Sequence, residues 1–239
     1  YMLSPRLAPR LVGMGLLEKV PESTILSFVD AGDQDGDGIT GKANYVYDPY
    51  TKKTEIGRFG LKANAPTLLL QFAMAYQQDM GVTTYATPEE SSWGQEQFHS
   101  VIDADQRELA DTMLNYVTFY VKTLAVPARR NVTDPDVKAG SVLFNQVNCA
   151  ACHRPTMITG TEPNVPQLSG QRIHPYTDLL LHDMGEGLAD NRPDFLASGT
   201  EWRTQPLWGL GLMQKTTGTA YYLHDGRART IEGAILWHG

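Results

Sequence analysis

The sequence predicts a mainly α fold, and three observations carry that expectation. Apolar residues recur at helical spacing in several segments. Asn, Pro and Gly punctuate those segments where helices begin and end, and period-two strand patterns are scarce. The 239 residues are 41% hydrophobic and 20% charged, which allows one large domain or two small ones with a proper core. A formal net charge of −7, with acidic residues spread along the chain and no basic stripe, argues against nucleic acid as a partner. No apolar run approaches the roughly 18 residues that a membrane helix needs.

Taken in order, Pro5 to Leu17 is apolar but interrupted by Gly13 and Gly15, and reads as a short helix or helical loop. Pro21 suits the first turn of the next helix and Gly32 its end. Residues 33–44 form an Asp/Gly loop. "NAPTLLLQFAMAYQQDMG" (64–81) opens on Asn and Pro and is apolar all round, so it predicts a largely buried helix. Residues 82–106 are polar and turn-rich. The clearest amphipathic helix is 104–127, where Leu109, Met113, Tyr116, Val117, Tyr120 and Leu124 share a stripe and Pro127 lies beyond the end. "ARRNVTDP" reads as a linker. "DPDVKAGSVLFNQVN" is a helix that runs into both cysteines, and 154–222 is mostly loop. A turn at Asp225–Gly226 and one helix close the chain. The sequence opens inside a helical pattern and stops just after another, so it is expected to be part of a longer exported protein.

Cys149-Ala-Ala-Cys152-His153 has the spacing of c-type haem attachment. Two thiols three residues apart add to two vinyl groups, and the next residue reaches the iron. A structural disulfide would have no use for His153. A redox pair of the thioredoxin kind expects a βαβ setting, and a zinc site would want two more ligands of similar quality. A purely electron-carrying haem usually takes a second protein ligand. The candidates are His99, His174, His182, His224, His238 and the eight methionines. Upstream, Asp33, Asp35 and Asp37, followed by Gly38 and the Ile39 carbonyl, resemble the opening of a Ca²⁺ loop. Asn44 stands at the twelfth position and cannot give a bidentate carboxylate.

"YYLHDGRARTIEGAILWHG" resembles the C-terminal part of bacterial di-haem cytochrome c peroxidases. "HPYTDLLLHDMGEGLAD", "EWRTQPLWGLGL", "SPRLAP" and "GDQDGDGITG" narrow the likeness to the di-haem oxidoreductases called putative peroxidases or thiol oxidoreductases. The resemblance implies a first haem domain, of which 1–126 is the later half, and a cytochrome c-like domain over 127–239 with one covalent haem c. A second haem is then expected on an upstream part. Where the peroxidases place a ligating Met, fourteen residues after the His of the His-Asp-Gly turn, this sequence has His238. The resemblance therefore implies iron held by His153 and His238. His224 would orient groups in the haem pocket, and Arg203, Arg227 and Arg229 would pair with haem propionates. The Trp residues 202, 208 and 237 are expected to line that pocket.

By the same resemblance, Gln71 would position peroxide and Asp79 would act as the acid/base at the first haem. Leu61 stands where the peroxidases have a Trp between the haems. Carbonyls of Thr219 and Tyr221 correspond to those that hold a calcium in the peroxidases. The function implied is that of a periplasmic di-haem c-type oxidoreductase. It would exchange electrons with a redox protein and act on peroxide or a small oxidant. A non-enzymatic electron carrier and a haem-free CxxC thiol oxidoreductase are the rival readings.

Overall fold

The computed structural model describes residues 3–91 and 107–238. Among these, helix accounts for 32% and strand for 12%, so the composition is mixed and the mainly α expectation is corrected. The strands escaped notice because each has only two to four residues and pairs with one antiparallel neighbour. Alternation over so few positions leaves little trace in a sequence.

Helix α1 (Met14–Glu18) is entered through Gly13 in the left-handed region (φ 72). A Cβ at Gly15 would lie 2.1 Å from the Lys122 carbonyl oxygen. The two glycines that interrupt this apolar stretch thus let α1 press against the helix that ends at Lys122. Pro21 caps α2 (Glu22–Leu26), which ends well short of Gly32. Strands β1 (Tyr45–Asp48) and β2 (Lys53–Ile56) form a hairpin with Val46 opposite Glu55. Asp48 turns inward, and its carboxylate accepts from the Tyr50 and Thr51 amides to shape the turn.

Helix α3 (Leu68–Met80) starts at Thr67, whose hydroxyl accepts from the Leu70 amide, and stops at Gly81 in the left-handed region. It packs against α4 (Asp111–Lys122). The stripe expected for α4 is turned by one residue. Leu114 and Val121 are buried, whereas Met113, Tyr116 and Tyr120 are exposed. Both rows have helical spacing. Leu114 packs with Ala73 and Ala86, and Val121 joins the main cluster.

Helix α5 (Pro135–Gln146) carries an Asp134 cap and Pro135 in its first turn. Two small sheets follow, β3 (Met157–Ile158) with β4 (Arg172–Ile173) and β5 (Leu181–Asp183) with β6 (Glu201–Arg203). Helices α6 (Met213–Thr217) and α7 (Ile231–Leu236) come last.

The segments before and after 126 share one hydrophobic cluster, in which Met14, Ile25, Phe59 and Leu68 join Met157, Ile173, Leu180 and Trp208. Backbone ties cross between them as well. The Leu7 amide donates to His224 O, the Arg203 amide to Leu61 O, and Lys42 bridges Leu181. Lys62 is fully buried and donates from Nζ to Asp190, to Arg192 O and to Ser198 O at 2.6–2.8 Å. Arg6 reaches the same Asp190 and also Asp194. Burial alone would raise the Asp190 pKa, but Lys62, Ser4 and Arg6 outweigh it and hold that carboxyl well below its usual range.

Candidate haem site

Helix α5 delivers the cysteines. It ends at Val147, and Asn148 takes the left-handed conformation (φ 61) that lets the chain turn into a 3-10 helix over Cys149–Ala151. Residues three apart eclipse one another in a 3-10 turn, so Cys149 and Cys152 lie on one face. Both are free thiols, partly buried. The Asn148 side chain donates to Asp37 Oδ2 at 3.0 Å, which ties the acidic loop to this turn.

His153 follows, with Nδ1 2.8 Å from Tyr176 O. A carbonyl can only accept, so Nδ1 carries the proton and Nε2 keeps its lone pair. The His238 ring repeats the arrangement with Nδ1 2.8 Å from Ala234 O. The two ring centres lie 6.5 Å apart with planes tilted by 49°. Metal–imidazole bonds of about 2 Å, with roughly 1 Å from each nitrogen to its ring centre, span about 6 Å. The pair is therefore spaced to clasp one metal ion, and a hydrogen bond on the far nitrogen is what orients a ligating histidine. Burial pushes the His153 pKa down and the His238 ring adds to this, against the pull of Tyr176.

Neither α5 nor α7 buries a single residue. Val142, Leu143, Val147, Ile235 and Leu236 are all more than half exposed, although both helices flank the histidine pair. Phe144 meets both the His153 and Tyr176 rings edge-on. Stacked thiols, two fixed imidazoles and bare apolar faces are what a covalently held haem requires.

The remaining residues singled out in the sequence fall elsewhere. His224 is buried in a parallel stack on Trp202, 3.6 Å between centres, with Nε2 3.8 Å from Asp225. Arg203 is buried, and all three of its nitrogens are engaged, by Gly60 O, Thr204 O and Gln205. Burial pushes its pKa down to about 10 against the pull of Asp178. It braces β6 against residue 60. Arg227 binds Asp225 and Gly187 O and covers the Trp237 ring beside His238, while Arg229 lies over Tyr221. The Thr219 carbonyl accepts from Thr217 Oγ1.

Gln71 and Asp79 share α3, but eight residues put them about 12 Å apart along its axis. Asp79 is exposed, and Gln71 Oε1 is buried without a hydrogen-bond partner. In the acidic loop, the carboxylates of Asp30, Asp33 and Asp35 converge within 4.8 Å. The Asp37 carboxylate instead accepts from the Asn148 side chain and from the Ile39 amide. Asn44 is buried with its amide on Lys62 O, Asp194 O and the Leu196 N–H, so it does not complete the loop as the sequence suggested. His174 sits between Thr156 and Pro155 O, and His99 lies outside the described residues.

Sequence reasoning gave no role to Asp178 and weighed His182 only as an iron ligand. His182 is buried, with Nε2 2.8 Å from Asp178, Nδ1 2.7 Å from Thr40 O and Cys152 Sγ at 3.4 Å. Both nitrogens face acceptors, so the ring is a doubly protonated cation. Burial would lower its pKa, but the Asp178 hydrogen bond and charge, helped by Cys152, push it up to about 10. The four-residue spacing gave no signal, because 178–182 is extended rather than helical.

No helix among the described residues is long and apolar enough to cross a membrane. No curated protein and no solved structure matches the chain, so the cytochrome c-like fold expected over 127–239 rests on no solved relative. One family model does match, described as "di-haem oxidoreductase, putative peroxidase", over residues 2–239. That match spans the haem motif, the acidic loop and the His-Asp-Gly turn alike, and the chain belongs to the di-haem oxidoreductase family.

Proposed function

We propose that this chain carries the electron-transfer haem of a periplasmic c-type di-haem oxidoreductase with peroxidase chemistry. One observation carries the reading. The ring centres of His153 and His238 lie 6.5 Å apart, a spacing that suits two imidazoles on a single metal ion, and His153 directly follows the turn that carries Cys149 and Cys152. Cys149 and Cys152 would hold the haem covalently, and His153 and His238 would bind its iron. A haem held by these residues would supply one-electron transfer. The chain's own residues do the rest. Tyr176 O and Ala234 O fix the ring tautomers, and Phe144 packs the proximal side.

The family carries two haems, and this sequence holds one attachment motif. We assign the second, peroxide-reacting haem to an upstream part, with Gln71 and Asp79 facing it and a redox protein as electron partner. We also assign a structural Ca²⁺ to the acidic loop, held by Asp30, Asp33 and Asp35 rather than by Asp37 and Asn44. Three carboxylates this close repel one another without a cation between them.

One contact favours the haem-free thiol reading instead. Cys152 lies beside a histidine cation backed by a carboxylate, a setting that activates a thiol. Intact mass and an absorption spectrum of protein exported from a host competent in cytochrome c maturation decide between them. The added mass of one haem with sharp reduced bands is the expected result. An unmodified mass with no Soret band would overturn the haem assignment.

A further inference from the structure

A groove of about 810 Å³ runs between the 123–131 segment, β4 and the 207–212 loop. Its volume is in the range of small-molecule sites. The floor is apolar, made by Leu124, Val126, Leu168, Ile173, Trp208 and Leu212. Its charged lining is of one sign. Lys122, Arg129, Arg130 and Arg172 contribute, and no Asp or Glu does, in a chain with 27 acidic residues against 20 basic ones.

Lys122 is neutralised by Glu18 and Glu162, but the three arginines make no ion pair among the described residues. Two of the guanidinium groups are placed at the groove wall. Arg129 Nη2 is 3.5 Å from the Tyr176 hydroxyl, and Arg130 Nη2 lies 3.0 Å from where a Cβ on Gly211 would sit. Behind Gly209, Arg10 spends Nη2 on Pro206 O and leaves Nη1 buried with no partner. A buried donor without an acceptor is costly unless something supplies one.

We propose that this groove binds a single-chain amphipathic carboxylate, its head held by Arg129 and Arg130 and its hydrocarbon tail laid on the Leu124–Trp208 floor. The guanidinium fork matches a carboxylate in plane and spacing. The apolar residues of the lining offer surface for the tail. Tyr176 connects this groove to the haem site, because its hydroxyl meets Arg129 while its carbonyl orients His153.

The probe is decanoate, below its micelle concentration, titrated calorimetrically into the exported protein with decanol as the neutral comparator. We expect one decanoate per chain, at least tenfold tighter than decanol. The double variant Arg129→Gln/Arg130→Gln should lose at least tenfold for decanoate and change little for decanol. Both side chains are exposed, and an unchanged circular dichroism spectrum verifies that the variant folds. Equal affinity for the two probes, decanoate affinity untouched by the double variant, or no binding of decanoate would each overturn the proposal. The groove shares Tyr176 with the haem site, so native protein and variant are compared in the same haem-loading state, verified by intact mass.

Discussion

Asp178→Asn should remove the positive charge on His182 while leaving its hydrogen bonds intact. In the native protein Asp178 Oδ1 accepts from the Leu180 amide and Oδ2 from His182 Nε2. The new amide can keep its oxygen on Leu180 and point its N–H at Nε2, which then accepts, while Nδ1–H stays on Thr40 O. Every polar atom keeps a partner only if the imidazole is neutral. The His182 pKa, about 10 against an ordinary 6.5, lies above its unfolded value. Its contribution to stability is therefore complete below pH 6.5 and is lost as pH climbs through 10. At 1.36 kcal/mol per pH unit it is worth at most about 5 kcal/mol, and it declines by up to about 3 kcal/mol between pH 7 and 9. The Cys152 share applies to the free thiol, and a thioether leaves only the Asp178 share. Urea unfolding at pH 7 and pH 9, on native protein and variant, isolates this group because other titrations cancel in the difference. The native protein should weaken more over that window. Parallel losses in the two proteins would show that His182 is not a buried cation, and the reasoning from its two acceptors would fail.

Three further substitutions probe the rest of the structure. His238→Met should move the reduced spectrum toward histidine–methionine character. It should also raise the potential by on the order of 0.1 V, within the ~0.8 V that axial ligands command; no change in either would place His238 off the iron. Lys62→Met strips three acceptors of one buried cation, so denaturant unfolding should record a loss of about 3–5 kcal/mol. Gly15→Ala drives a methyl into the Lys122 carbonyl, and the forced separation of α1 from α4 should cost about 1–3 kcal/mol in the same assay.

How far the fold could be read from the sequence depended on segment length. Helices α3 and α5 were legible as segments because their apolar residues recur locally, although α3 begins at its Thr67 cap rather than at Asn64. The face of α4 was not, because Met113–Tyr116–Tyr120 and Leu114–Val121 are equally periodic and only the partner helix chooses between them. The sheets were missed for a related reason. Leu181 and His182 fall in a stretch that reads as mostly loop, and it is pairing with Arg203 and Trp202, some twenty residues on, that makes them a strand. Lys62 is the extreme case. Nothing near it in sequence hints that a lysine is fully buried, since its acceptors lie at 190, 192 and 198.

The site was legible where chemistry fixes spacing and illegible where the fold supplies the partner. The spacing of Cys149, Cys152 and His153 is a local pattern that can be read without the fold, and the structure puts Cys149 in a 3-10 turn that Cys152 caps. His238 was reached only by resemblance, yet its ring ends up 6.5 Å from His153. Side chains left to bury themselves would not hold two imidazoles apart with both Nδ1 atoms satisfied and leave α5 and α7 uncovered. That arrangement makes sense around a flat apolar group whose metal both rings reach. It also divides the labour. Under the proposed function, iron bound by His153 and His238 would carry electrons, and substrate chemistry is assigned to a second centre, to which we propose that the exposed Asp79 and the unpartnered Gln71 amide oxygen on α3 contribute.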